Sequence, residues 1–548
     1  MIKKLFSGQI NSIMVAALLV AMSSLASRFL GVFRDRILAG EFGAGDTLDI
    51  YYAAFRIPDF IFNLLILGAL SAGFIPIITG LIRDHECKKE QLIFKNPNKE
   101  VWELSSNILN ILGIAMFGIS LVGIIFAPWI MKVITPGFGV DKQAQVVSLT
   151  RIMFLSPLFL GISSVLGGIL QSFKRFFVYS FSPIMYNLGI ILGALYLVPL
   201  WGVYGLAWGV VFGSFLHMLI QLPVIFSMGF KYQAILNFKD KNIIKIGRMM
   251  GPRIMSLGIS QIELLSITVI ASTLPSGSLS VFNFANNLQS FPIGVFGISL
   301  AIAAFPTLSA VAFNEKKLVE NFSNVFRQIM FFIIPAMVLF LTLRAQIVRV
   351  VLGSGSFDWN DTVLTFETLK FFAFSLFSQA ALPLLARVFY ARHNSKMPFY
   401  VGIFSAAINV GLALYFVRSG DISSLALSFS IANTLNFVLL WIMLRREVGR
   451  DLDEKRIITS ILKLAVAGVF AGWSIQSAKI MIAAYVNMDK LWGVFLQGFI
   501  AGMIGLLVFA AFASLLRSEE FFYFWNAFKK RIPWRKIETG DQGEARGI

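Results

Sequence analysis

The sequence predicts an all-α polytopic membrane protein of about fourteen transmembrane helices, two parallel six-helix lobes plus two C-terminal helices. Three observations lead there. Of 548 residues, 57% are apolar and 14% charged, against roughly 25% charged in soluble chains. Apolar runs long enough to cross a bilayer follow one another along nearly the whole chain. A segment of the first half recurs in the second at an offset near 230 residues.

A span takes ~20 mostly apolar residues. The runs fall at 10–38, 47–82, 102–134, 144–171, 178–199, 203–228, 245–274, 278–312, 320–352, 363–390, 397–417, 421–444, 457–485 and 490–516. The first, behind Lys3 and Lys4, has the look of a signal peptide. Its apolar run continues past Arg28 to Phe33, however, and many spans follow, so it reads as a span. Continuous runs exclude a barrel of ~10-residue alternating strands.

The charge is sorted by side. With a cytoplasmic N-terminus, the even-numbered connections face the cytoplasm and hold most of the basic residues. These include Arg83, Lys88 and Lys89; Lys174 and Arg175; Lys239, Lys241 and Arg248; Lys316 and Lys317; Arg392 and Lys396; Arg445, Arg446 and Arg450. The odd-numbered connections hold almost none: Lys142, Arg418 and Lys490. Such asymmetry orients membrane proteins, and it places both termini in the cytoplasm. It also explains most of the net charge of +18 as topology and attraction to lipid surfaces rather than nucleic-acid binding. The tail segment FFYFWNAFKKRIPWRK reads as interfacial, and residues after Ile537 as disordered.

The repeat pairs YYAAFRIPDFIFNLLILGALSAGFIP, ending at Pro76, with VFNFANNLQSFPIGVFGISLAIAAFP, ending at Pro306. Arg56 and Asn286 occupy matching polar positions. A second pair joins FKRFFVYSFSPIMYN, ending at Asn187, to ARHNSKMPFYVGIFSAAIN, ending at Asn409. Each of these is a basic loop, a proline and a span carrying an asparagine. The unit holds six spans, an even number, so both copies start on the same side and form parallel repeats. The expected division is 1–229 for the first lobe, 230–447 for the second, 448–516 for spans 13 and 14, and 517–548 for the cytoplasmic tail.

Chemistry-bearing residues are sparse. Cys87 is the single cysteine, so there is no intramolecular disulfide and no cysteine metal cluster. Of three histidines, His85 and His393 fall in polar loops and His217 in a span, which does not favour a histidine metal site. The sequence has no HExxH, no acidic metal motif, no glycine-rich phosphate loop and no Walker sequence. An enzyme and an ATP-driven pump are therefore not expected, nor is a bound cofactor or metal.

The polar residues within spans follow helical phase. A charge at mid-membrane costs ~2.5–3.5 kcal/mol on insertion scales, so it normally faces a protein interior or a watery cavity. In span 1, Ser24, Arg28, Gly31 and Asp35 share a face, with Arg34 and Arg36 beside it. In span 2, Asp49, Tyr52, Arg56, Asp59 and Asn63 form a polar stripe. Span 7 offers Arg253, Ser256, Ser260 and Glu263, and span 8 offers Asn283, Asn287, Ser290, Gly294 and Gly297. The span-8 glycines equally permit close helix packing. Four stripes from the first two spans of each half make a central cavity with a cationic bias. That cavity suits transport of a large anionic amphiphile. The substrate-contact candidates are Arg28, Arg34, Asp35, Asp49, Arg56, Arg253, Asn286 and Asn287. The ion-coupling candidates are Glu263, Asn409 and Asn433, with sodium, protons or the membrane potential as the driving force.

The segments SSLASRFLGVFRDRILAGEFGAGDTLDIYYAAFRIPD, LLARVFYARHNSKMP and LQSFPIGVFGISLAIAAFPTLS resemble the MurJ/MviN lipid II flippase family, within the multidrug-exporter (MATE-like) superfold. The resemblance implies a carrier in the bacterial cytoplasmic membrane. It would move the undecaprenyl-pyrophosphate-linked disaccharide-pentapeptide from the inner to the outer leaflet by alternating access, as a monomer among membrane lipids. Spans 13 and 14 would form a groove for the lipid tail. By the same resemblance Arg28 and Arg34 match the family's span-1 arginines, Asp35 and Asp49 its acids, and Arg56 a basic position. The chain departs from the pattern where many members have arginine, at Phe62, beside Asn63, and at Asn287. Arg56 and Arg253 are the candidates to supply the replacement charge. The alternatives are an exporter of another lipid-linked glycan or of a small molecule, and a non-transporting cell-wall scaffold. A cationic-drug exporter would favour an acidic cavity.

Overall fold

The computed structural model describes residues 13–64, 73–89, 99–449 and 451–531, and all regular structure among them is helical. In chain order the helices are α1 (Ile13–Phe42), α2 (Asp46–Phe62), α3 (Ile75–Lys89), α4 (Lys99–Ile134), α5 (Val140–Met153), α6 (Ser156–Ser172) and α7 (Phe176–Leu192). Next come α8 (Tyr204–Leu219), α9 (Leu222–Ser227), α10 (Lys241–Ala271), α11 (Ser278–Pro292), α12 (Ser299–Ala310), α13 (Glu315–Thr342) and α14 (Arg344–Val351). The last seven are α15 (Trp359–Phe374), α16 (Leu376–Ala391), α17 (Lys396–Phe416), α18 (Ser423–Val448), α19 (Glu454–Ala483), α20 (Leu491–Leu515) and α21 (Glu519–Arg531).

Ten helical stretches are long and apolar enough to cross a membrane, and the bent pair α15–α16, with 47° between its arms, makes an eleventh. The other three expected spans are 10–38, 47–82 and 245–274; the first two are helical where described and include residues outside the description, and the third is helical through Ala271 as the main part of α10. The expected tail beyond Ile537 also lies outside the described residues. Helix α3 runs on to Lys89, so His85 sits in a helix rather than in the loop expected from its polar neighbours.

Local chemistry sets the helix ends. Asp240 caps α10 by accepting from Asn242 N, and Asp358 caps α15 by accepting from Asp361 N, each satisfying a first-turn amide that has no partner within the helix. Prolines 58, 128, 183, 335 and 383 lie inside helices, which neighbouring helices and local adjustments make tolerable in a membrane bundle. Two wide-turn π segments, Gly193–Leu197 and Ile293–Ile298, interrupt spans 5 and 8.

The chain packs as two compact units. The first comprises Met1–Phe291, Arg344–Ser378 and Asn394–Trp441. It therefore draws on both halves of the sequence repeat. One part of its core gathers Phe74, Ile78, Trp102, Ile169 and Phe230. The second comprises Pro292–Leu343, Gln379–His393 and Ile442–Ile548. In it α19 pairs with α20, with Phe470 stacked on Phe512 at 4.2 Å. Helix α21 lays Phe524 on Phe331 and Phe332. Its acidic first turn meets the buried Arg327, which bonds both Glu519 and Glu520. A Cβ on Gly297 would stand 2.8 Å from Ala380 Cα, so this glycine of the span-8 stripe serves close packing rather than a polar surface.

Candidate functional site

The span-1 stripe organises a polar network inside the first unit. Asp35 is 4% exposed, and its Oδ1 accepts from Arg34 Nε and Nη2 at 3.0 and 2.7 Å. Asp35 Oδ2 accepts from Asn287 Nδ2 of α11 at 2.8 Å. Arg34 turns the other way as well, donating from Nη1 to Asn187 Oδ1 of α7 at 3.1 Å. Arg28 lies two turns back along the helix and donates to Ser290 O at 3.4 Å. Helical phase therefore gives α1 two polar directions, one toward α11 and one toward α7. Three of the five guanidinium N–H groups of Arg34 are engaged in these bonds, which leaves donors for an anionic ligand.

Span 2 places its stripe against spans 7 and 8. Asp49, 3% exposed, accepts from Gly277 N (2.8 Å), Ser280 N (2.9 Å), Ser280 Oγ (2.7 Å) and Lys142 Nζ (3.3 Å). A carboxylate with four donors is satisfied, which is what burial of a charge requires. Arg56 donates to Thr268 Oγ1 at 3.0 Å and Asn283 Oδ1 at 3.2 Å, so part of its donor set ties α2 to α10 and α11. Asp59 accepts from Asn63 at 2.9 Å. Asn286 accepts from Gln289 at 3.0 Å.

In α10, Glu263 Oε1 accepts from Asn409 Nδ2 of α17 at 2.5 Å. Asn433 instead donates to Phe429 O in its own helix, and no described bond joins it to this pair. The side chains of Arg253 and Ser256 lie outside the described residues.

Contacts also gather where odd-numbered connections meet. Arg36 Nη1 donates to Val350 O at 2.5 Å, Ser356 N to Gly40 O at 2.7 Å, and Ala44 N to Asp361 Oδ2 at 2.9 Å. Gly277 has φ +85°, and a Cβ there would stand 2.0 Å from Ala44 O. Glycine is thus required twice over, by conformation and by space. Asp46 accepts from Lys142 at 2.7 Å and Ser276 at 2.6 Å. Among the described residues, no three His, Cys, Asp or Glu side chains converge as a metal site.

Sequence reading did not single out Asn187, Lys142, Ser280 or Asp361 as site residues. Lys142 had a signal: it is one of few cations on the side that holds almost none. Asn187 had one as well, since it ends a repeat segment whose partner ends at Asn409. Ser280 and Asp361 had none, because an ordinary serine and a loop acid gain meaning only from their neighbours in space.

An all-helical bundle with charged side chains of its early spans turned inward is the fold of a polytopic membrane transporter. A solved multidrug-resistance MATE family transporter, in an inward-facing conformation, superposes on 79% of this chain and 98% of its own with TM-score 0.64 at 16% identity. A solved lipid II flippase MurJ, described as inward closed, covers 93% of this chain and 100% of its own with TM-score 0.74 at 22% identity. Residues 38–496 match the family described as lipid II flippase MurJ, and the chain belongs to that family. A probable lipid II flippase MurJ of Vibrio cholerae serotype O1 is 28% identical over 512 residues, 91% of this chain and 95% of that relative. Another from Buchnera aphidicola subsp. Schizaphis graminum is 30% identical over 442 residues, 78% of this chain and 83% of that relative.

Proposed function

We propose that this protein moves lipid II from the inner to the outer leaflet of a bacterial cytoplasmic membrane for cell-wall synthesis, by alternating access. The observation that carries the reading is the Arg34–Asp35–Asn187–Asn287 network with Arg28 beside it. A pyrophosphate needs donors that are fixed in direction, and an arginine held by an aspartate and an asparagine presents its remaining N–H groups as such a fork. Few charges suit a carrier, because a dense cluster would hold the head group too tightly for release. Arg28 and Arg34 are the head-group contacts. Asp35, Asn287, Asn286, Asp49, Arg56 and Arg253 shape and charge the surroundings. The polyprenyl tail stays in lipid, along spans 13 and 14.

The side on which the odd-numbered connections gather is, by the distribution of basic loops, the periplasmic one. Its bonds between Arg36 and Val350, Gly40 and Ser356, and Ala44 and Asp361 then act as an outer closure, with both termini cytoplasmic and the protein a monomer. Glu263 and Asn409 form the coupling site for sodium or protons, with Asn433 a further candidate, and no catalytic step is involved. A strain depleted of the protein tests this. Lipid II should accumulate in the inner leaflet and plasmid-borne wild type should clear it, whereas an unchanged leaflet distribution would refute the proposal.

A further inference from the structure

We propose that Asn187 is the positioning residue that aims the Arg34 guanidinium at the substrate's pyrophosphate, and that it is the first-half counterpart of Asn409 at Glu263. This rests on the head-group reading above. Asn187 is 8% exposed. Its Nδ2 donates to Pro183 O at 3.1 Å and to Ser27 Oγ at 3.4 Å, and its Oδ1 accepts from Arg34 at 3.1 Å. The orientation of the amide is forced, since Arg34 can only donate and the Pro183 carbonyl can only accept. Asp35, the next residue on the same helix, engages Nε and Nη2 and is itself drawn to α11 by Asn287. Without a second anchor the guanidinium could follow Asp35 and turn away from α7. Asn187 supplies that anchor at Nη1, so the plane of the fork is set by two contacts on different helices.

The duplication supports the assignment independently. Asn187 and Asn409 close matching repeat segments, on the fifth span of each half. Each reaches back to a charged residue on the first span of its own half, Arg34 in one and Glu263 in the other. An amide can do both, offering oxygen to a cation or nitrogen to an anion. The same asparagine position thus serves a half that holds an anionic head group and a half that holds a proton or cation.

The test uses full-length protein in nanodiscs with purified lipid II as the probe. Arg34→Ala, Asn187→Leu, Asn187→Asp and the Arg34→Ala/Asn187→Leu double variant are compared. Arg34→Ala and Asn187→Leu should each weaken binding about tenfold or more, on the scale of one lost charge-assisted bond. The double variant should bind no more weakly than Arg34→Ala alone, since residues acting through one group are non-additive. Asn187→Asp keeps an oxygen acceptor and should restore most of the affinity lost in Asn187→Leu. Losses that multiply in the double variant, or Asn187→Asp no better than Asn187→Leu, would assign Asn187 to helix packing and overturn the proposal. Weak binding by Arg34→Ala with wild-type binding by Asn187→Leu overturns this proposal alone. Wild-type binding by Arg34→Ala overturns the head-group reading and this proposal with it.

Discussion

Asn409 donates to Glu263 at 2.5 Å, while its own side-chain oxygen, wholly enclosed, accepts from no described residue. A carboxylate oxygen and a neutral amide oxygen thus lie on neighbouring spans, joined through the amide nitrogen of Asn409. A buried acceptor left unmatched costs about 1–3 kcal/mol, and a proton or a cation bound beside the carboxylate would relieve that cost. Binding can drive a conformational change only through different affinity for the two states. Glu263→Gln should therefore change how transport depends on pH or sodium, and not merely its rate. Transport by Glu263→Gln that keeps the wild-type dependence on both would make Glu263 structural.

Arg28 is the deeper of the two span-1 arginines assigned to the head group, and its described bond to Ser290 O is long, 3.4 Å. Arg28→Ala should fail to complement a flippase-depleted strain while reaching the membrane at normal levels. Full complementation would remove Arg28 from the mechanism, and loss of the protein from the membrane would give it a folding role.

Asp49 holds Gly277 and Ser280, and Gly277 packs against Ala44, whose amide belongs to the proposed outer closure. Asp49→Ala strands the amide of Gly277 and both donors of Ser280, and each charge-assisted bond lost is worth about 1.5–3 kcal/mol. In a Cys87→Ser background, Ala44→Cys should react with a membrane-impermeant maleimide at least about fivefold faster when Asp49 is alanine, the least that a shift of ~1 kcal/mol would give. Equal labelling rates would mean that these bonds do not hold the closure.

At the other end of the chain Glu519 accepts from Arg456 at 2.5 Å and Arg327 at 3.0 Å. The Arg456 bond, first, and the charge of Arg327 hold its carboxyl below the ordinary value of 4.5. A carboxylate depressed in the folded state stabilises it above the unfolded value, and that stabilisation is lost as pH falls through the folded one. The amides of residues 519–531 should lose hydrogen-exchange protection below about pH 4.5, after correction for intrinsic rates. Glu519→Gln should have lower protection at neutral pH and little further change on acidification. A wild-type acid response in that variant would assign the effect to other carboxyl groups.

Much of this was legible in the residues. Span length gives the helical bundle because bilayer thickness acts on local sequence. The phase of Arg28 and Asp35 on α1 foretold that both would face one neighbour, and α11 is that neighbour. Glu263 and Asn409, ion-coupling candidates on different spans, are bonded to each other. What stayed hidden depends on contact between distant segments. Asp49 reads as a cavity acid by its stripe, yet its oxygens are occupied by Ser280 and Gly277 at the start of α11 and by Lys142 of α5. Arg56 reads as a replacement charge, yet Thr268 and Asn283 take two of its donors. Helical phase reports the direction a side chain leaves its helix, not the partner it meets.

The central claim is that this chain itself carries lipid II across a bilayer by way of the Arg34 network. The most direct measurement uses proteoliposomes of the purified protein with fluorescent lipid II, read by the fraction accessible to an impermeant quencher over time. Wild type should equilibrate lipid II between leaflets far faster than protein-free vesicles, and Arg34→Ala should do so at close to the protein-free rate. Wild type that leaves lipid II on its original leaflet, or an Arg34→Ala variant as fast as wild type, would contradict the account.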